Sequence, residues 1–229
     1  MLYVYAISES PRPPRRVGLR DARLRAIGEG GTFAVVSEHE DLRLEASEDD
    51  LWAHESVIEE AMKDGAVLPM RFGSSLTGEE ALVEVLRIRR ADFQSALERV
   101  RGAVELAVRA VIEAEAISDQ REEPINRAPA VTAAGPGTAY MLDRLGRKQL
   151  AERVAARIDR PLAPLSKART SRLSTDEQPR LTAAYLVDRE RVGAFRDRVE
   201  LLEQELDGAS VVCTGPWPPY SFVSSEAES

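Results

Sequence analysis

Histidine and cysteine are almost missing from this chain. Among 229 residues there are two histidines, His39 and His54, and one cysteine, Cys213. A lone cysteine excludes an intramolecular disulfide, and its place in the apolar run Val211-Val212-Cys213 reads as a buried, inert thiol. No Cys/His spacing of the zinc type is present, so no metal site is expected. No apolar run approaches the ~20 residues needed to cross a bilayer, and no membrane association is expected. Basic residues are the minority, 31 against 39 acidic, for a formal net charge of −8. That excludes a general nucleic-acid binder, which needs basic surface to neutralise phosphates. The N-terminal run Met1-Leu2-Tyr3-Val4-Tyr5-Ala6-Ile7 has no basic segment before it and no cleavage site after it. It reads as a strand and not as a signal peptide, and the protein is expected to be cytoplasmic.

What is present is a soluble, globular composition, 43% hydrophobic and 31% charged. Residues 2–7 carry β-branched and aromatic side chains and end in the breaker Ser8-Glu9-Ser10-Pro11. Residues 11–20, with three prolines and four arginines, read as an exposed loop. Strands over 23–27 and 32–37 form a hairpin through Gly28-Glu29-Gly30-Gly31. Seven acidic residues and one arginine between Glu38 and Asp50 read as a solvated loop leading into a helix. That helix runs to about Lys63 with Leu51, Ile58, Ala61 and Met62 on its apolar face. A strand interrupted by Pro69 follows, so an edge or a bulge is expected. Thr77 is placed to cap a helix carrying Leu82, Val85 and Leu86, and a second helical stretch carries Phe93, Ala96, Leu97 and Val100.

At residues 103–112 the hydrophobic period changes from that of a helix to that of a strand. A domain boundary is therefore expected after Gly102, giving domains 1–102 and 103–229. Residues 113–137 read as a loop. A long helix follows, with Leu142, Leu145, Leu150, Val154 and Ile158 as its apolar stripe, ended by Pro161 and Pro164. A strand over 165–173 precedes Leu181-Thr182-Ala183-Ala184-Tyr185-Leu186-Val187, apolar enough on both faces to be central in its sheet. Asp188 is placed to cap a helix with Val192, Phe195, Val199, Leu202 and Leu206 on one face, stopped by Gly208. From residue 103 the order is strand, helix, strand, strand, helix, strand, the ferredoxin-like βαββαβ arrangement. The expected class is α+β, an N-terminal mixed domain and a C-terminal ferredoxin-like one.

Catalytic chemistry finds little to stand on. His54 lies among apolar helix positions and reads as a packed histidine; His39 lies in an acidic loop with no evident target. Neither Gly28-Glu29-Gly30-Gly31 nor Gly135-Pro136-Gly137 matches a phosphate-binding fingerprint, although the second precedes a helix and an anion there would define a ligand-sensing module. Arg71 is enclosed by apolar neighbours at a turn, as a buried ion pair or as a partner contact. The chain closes on Val211-Val212-Cys213-Thr214-Gly215-Pro216-Trp217-Pro218-Pro219-Tyr220-Ser221-Phe222. Its prolines are expected to stop a last strand at Thr214, leaving an extended strip whose aromatics either close a core, folded back across the domain junction or onto the N-terminal half, or face a partner. The residues point to a binding or scaffold protein with no cofactor.

Five stretches carry a resemblance. They are Leu2-Tyr3-Val4-Tyr5-Ala6, Asp64-Gly65-Ala66-Val67-Leu68-Pro69-Met70-Arg71-Phe72-Gly73, Gly135-Pro136-Gly137-Thr138-Ala139-Tyr140-Met141-Leu142, Ala183-Ala184-Tyr185-Leu186-Val187-Asp188, and Thr214 through Phe222. In this order the sequence resembles the gas vesicle protein GvpF/GvpL family. The resemblance implies a non-enzymatic accessory or minor structural protein of the gas vesicle, in the cytoplasm. It implies binding of the small hydrophobic shell protein, contact with other gas vesicle accessory proteins, and two domains of which the C-terminal is ferredoxin-like. Arg71, Phe72, Trp217 and Tyr220 are the candidate partner-contact or domain-junction residues.

Overall fold

The computed structural model describes residues 1–40, 47–112, 136–174, 179–206 and 208–223, the side chains of 112, 136–140, 142, 143 and 147 excepted. The solvated acidic run is thus described only at its ends, and nearly all of the loop expected over 113–137 lies outside the described residues. The chain divides into two compact units. One is Met1–Glu105 together with the segment from Pro216 on, and the other is Leu106–Gly215. The closing strip, assigned from sequence to the second domain, therefore lies from Pro216 with the first unit.

The first unit is built on β1 (Leu2–Ser8), all seven of whose residues are buried. Its β-branched and aromatic side chains suit a strand covered on both faces. It lies inside the sheet order β2-β3-β1-β4, where β2 is Leu24–Glu29, β3 Thr32–Glu38 and β4 Val67–Pro69; the short β5 (Ser75–Leu76) also pairs with β1. The β2–β3 hairpin turns on Gly30 and Gly31, at φ +59° and +86°, values that a side chain would oppose. Pro69 sits on β4 at the end of the sheet order, where a missing N–H is tolerated. Between Val4 and Ala6 the register of β1 against β3 shifts, so Tyr5 is the extra residue of a bulge. Tyr3, Tyr5 and Ala6 consequently join one core cluster.

Three helices complete this unit: α1 (Glu48–Ala61), α2 (Glu79–Ile88) and α3 (Arg90–Val100). Ser47 caps α1 by accepting the Asp50 N–H at 3.1 Å. The buried residues of α1 are His54, Val57, Ile58 and Ala61, a stripe that turns Leu51 outward, contrary to the sequence reading. Thr77 does not cap α2 either. The helix starts at Glu79 behind Gly78, with no side-chain cap, and Glu79 and Glu80 supply negative charge at its positive end. The loop over 11–20 is less exposed than its composition suggests, because Leu19 is fully buried. Among the described residues, Thr32 Oγ1 is the buried side-chain polar atom without a hydrogen-bond partner. Thr32→Val removes that hydroxyl at nearly constant shape. It is expected to stabilise by about 1 kcal/mol, read as a higher urea midpoint, and a lower midpoint would show that the hydroxyl is satisfied.

The second sheet contains β6 (Ala103–Ile112), β7 (Ala168–Ser174), β8 (Arg180–Asp188) and β9 (Ala209–Trp217) in the order β7-β8-β6-β9. With α4 (Pro136–Leu162) after β6 and α5 (Val192–Glu205) after β8, this is the ferredoxin-like arrangement expected from the order of elements. β8 is internal and Leu181 with Ala183 through Val187 are buried, as a strand apolar on both faces requires. Leu150, Val154 and Ile158 of α4 and Phe195, Val199 and Leu202 of α5 form one core with Leu106, Val108, Tyr185 and Val211. Leu145 is exposed, so the buried stripe of α4 begins later than expected; the Leu142 side chain lies outside the described ones. Asp188 does not cap α5, because a 3-10 turn over Arg189–Arg191 intervenes and Arg191 takes the cap position. Pro216 does not end β9 at Thr214. The strand reaches Trp217, since an edge strand can turn the position without an N–H away from its one neighbour.

Candidate protein-binding groove

The site begins at the two tyrosines of β1. Their rings meet edge to face, with centroids 4.8 Å apart. Tyr5 Oη accepts the Leu19 N–H at 2.7 Å and lies 2.8 Å from Ser37 Oγ, which ties the proline-rich loop to the sheet. Tyr3 Oη accepts the Gly73 N–H at 3.1 Å and lies 2.8 Å from His54 Nδ1. His54 Nε2 is 3.0 Å from the Met70 carbonyl oxygen, which can only accept. Nε2 therefore carries the proton, Nδ1 is bare, and Tyr3 donates to it. The imidazole is neutral, its pKa pushed down to about 4 by burial.

This network explains the motif Pro69-Met70-Arg71-Phe72-Gly73. Met70 offers its carbonyl to His54, Gly73 offers its N–H to Tyr3 at φ +91°, and the Phe72 ring packs 5.7 Å from the imidazole. The loop is held from both ends by one histidine and one tyrosine. Phe72 belongs to that ring cluster, and Arg71 is exposed on the loop.

Tyr220 packs against the same cluster from the closing strip. Its hydroxyl donates to Glu55 Oε1 at 2.7 Å and stands 3.4 Å from His54 Nε2. Burial and the Glu55 carboxylate both push the Tyr220 phenol upward. The strip is fixed further by Glu105, whose two carboxylate oxygens accept the N–H and the hydroxyl of Ser221, each at 2.8 Å. Arg99 Nη2 donates to the Phe222 carbonyl at 2.7 Å, and Phe222 is buried. The strip thus closes a core through Phe222 and Tyr220, while Trp217 stays 47% exposed.

Between α1 and this strip lies an open groove of about 500 Å³. Its apolar surface comes from Leu51, Trp52, Trp217, Pro218 and Tyr220. Leu51 and Trp52 are 41% and 64% exposed, and both tryptophans of the chain lie here. Carboxylates complete the lining: Glu48, Glu55 and Glu59, all from α1, and Glu105. Burial raises the pKa of Glu55, and the negative charge of Glu59 raises it further; burial raises that of Glu105. Of the four residues singled out from sequence, Trp217 and Tyr220 meet at this groove, whereas Arg71 and Phe72 do not line it. Sequence reasoning placed Leu51 inward and passed over Trp52, Glu55, Glu59 and Glu105. The available signal was the repeat of Glu48, Trp52, Glu55 and Glu59 at helical spacing, one stripe carrying an exposed aromatic among acids.

The fold defines the class: a mixed α+β protein with two sheets, the second of ferredoxin-like topology. The model of the family "Gas vesicle synthesis protein GvpL/GvpF" matches residues 1–224, and the chain belongs to that family. It is 33% identical to gas vesicle protein F of a Streptomyces species, over 96% of this chain and 98% of that one. It is 31% identical to gas vesicle protein F1 of Halobacterium salinarum, over 83% and 76% of the two chains. Among solved structures, gas vesicle protein GvpF of an Anabaena species superposes with a TM-score of 0.77 at 22% identity, covering 97% of this chain and 98% of that one. GvpF of Microcystis aeruginosa gives 0.78 at 17% identity with the same coverage, so the fold is shared. The role of the protein lies in gas vesicle formation.

Proposed function

We propose that this chain is a non-enzymatic accessory component that binds the small hydrophobic shell protein of the gas vesicle, together with other gas vesicle proteins, in the cytoplasm. A shell subunit with a large apolar face aggregates unless that face is covered before assembly. A partner that covers it reversibly can hold subunits apart and release them to a growing shell. The observation that supports this reading is the groove, where two tryptophans and a leucine stay exposed beside a well-packed ring cluster. Large aromatics on a rigid support are the side chains that dominate binding energy at protein interfaces. Trp52, Trp217 and Tyr220 are the proposed contacts, and Phe72 supports them from within the cluster. With the strip from Pro216 counted in the first unit and not in the expected domain 103–229, the two units take separate tasks in this reading: binding in the first, and spacing or further contacts in the second.

The test is retention of co-expressed shell protein by tagged wild type and by the Trp52→Ala/Trp217→Ala double variant. Each truncation of an interface tryptophan costs about 2 kcal/mol or more, so retention should fall at least ~10-fold. Circular dichroism establishes that the variant is folded. Equal retention by a folded variant removes both tryptophans from the interface.

A further inference from the structure

We infer that the groove receives a basic amphipathic segment, in which large apolar side chains are flanked by lysine or arginine. The inference rests on the partner-binding reading above and names the chemistry of the segment that enters.

Its basis is the lining. Five apolar or aromatic residues form the contact surface and four carboxylates accompany them, with no lysine, arginine or histidine among the described residues that line it. Glu48, Glu55 and Glu59 recur at i, i+7 and i+11 on α1, so their charges fall along one side of the groove. Glu105 faces it from β6, already fixed to Ser221. Glu48 and Glu59 are exposed at the positions nearest solvent. An acidic occupant would add like charge to this set. A neutral apolar one would strip water from carboxylates and return nothing for it. A basic one neutralises them, and its cations can also sit over the faces of Trp52 and Trp217. Nucleic acid and anionic lipid surfaces are repelled by the same charges, which leaves a protein segment as the occupant.

Because both tryptophans of the chain line the groove, intrinsic fluorescence reports on it directly. The probes are a tryptophan-free amphipathic helical peptide with a leucine face flanked by lysines, and its twin with glutamates in place of the lysines. The full chain should bind the lysine peptide with a shift in emission, more weakly as salt rises, and should not bind the glutamate twin. Glu48→Lys/Glu59→Lys should weaken the lysine peptide by about tenfold or more and strengthen the twin. Equal binding of the two peptides, or an unchanged affinity in the charge-reversed variant, overturns the inference. Retention of shell protein separates this inference from the broader reading. If the charge-reversed variant retains shell protein as well as wild type does, the groove is not where shell protein enters, and the accessory function stands without it. If wild type retains none while the lysine peptide still binds, the shell-protein reading falls and the chemistry of the groove stands.

Discussion

Phe195→Ala should cost about 3–5 kcal/mol, the range for emptying a phenylalanine site in a packed core. Phe195 is fully buried in the core of the second unit, its ring 5.2 Å from that of Tyr185. The neighbours have little freedom to collapse into the space. Tyr185 is held by its hydroxyl, which donates to Asp159 Oδ1 at 3.2 Å, and Asp159 is in turn paired with Arg169 at 2.8 Å. Burial also raises the Tyr185 phenol far from ionisation, so the ring does not gain by moving toward solvent. Hydrogen exchange should report the loss in the amides of Leu106–Gly215, because the cavity opens in that core alone. A loss spread evenly over Met1–Glu105 would show that the two cores do not unfold separately.

Acidification should act most strongly through His54. Its folded pKa of about 4 lies below the ordinary value of 6.5, so between these the unfolded chain holds a proton that the folded chain does not. Stability therefore rises with pH across that window. It is complete above about pH 6.5 and lost as pH falls toward 4, by up to roughly 3 kcal/mol. Glu55 and Glu105 work in the opposite sense, since their pKa values are raised in the folded state. They add stability at low pH that disappears as pH rises through those values, and they blunt the slope at its acidic end. Urea midpoints from pH 4 to 7 measure the net effect. His54→Gln keeps a donor for the Met70 carbonyl and cannot titrate, so its midpoint should be lower at pH 7 and much flatter with pH. A slope equal to that of wild type would assign the pH dependence elsewhere.

The parts of the fold that were legible in the sequence are those whose side chains face one environment along their whole length. β1 is buried throughout, β8 nearly so, and α5 keeps Val192, Phe195, Val199 and Leu202 on one side with Leu206 at its cap, so composition and period suffice. The misreadings concern residues whose setting is decided by another element. Thr77 and Asp188 have the chemistry of caps, but the turns at Gly78 and at Arg189–Arg191 place the helix starts further on. Leu51 fits an apolar stripe in sequence, yet the imidazole of His54, bonded to Tyr3 and Met70, sets which side of α1 faces inward. Pro216 breaks a strand only where its nitrogen must donate. Half of the groove was legible, as Trp217 and Tyr220, because a cluster of aromatics and prolines is conspicuous locally. The other half was hidden because its position depends on contacts such as Tyr220 to Glu55, 165 residues apart.

That separation also sets a time at which the site can exist. Glu105 and Ser221, which fix the closing strip, are 116 residues apart, and the intervening chain forms the second unit. A ribosome adding about 5–20 residues per second takes roughly 6–20 s to cover that distance. During this interval β1, α1 and the loop at Met70–Gly73 can assemble while the wall carrying Trp217 and Tyr220 has not been made. Glu55 and Glu105 then stand without their partners, and Trp52 has no opposite face. The groove is therefore a late structure: both of its walls exist only once translation has passed residue 222.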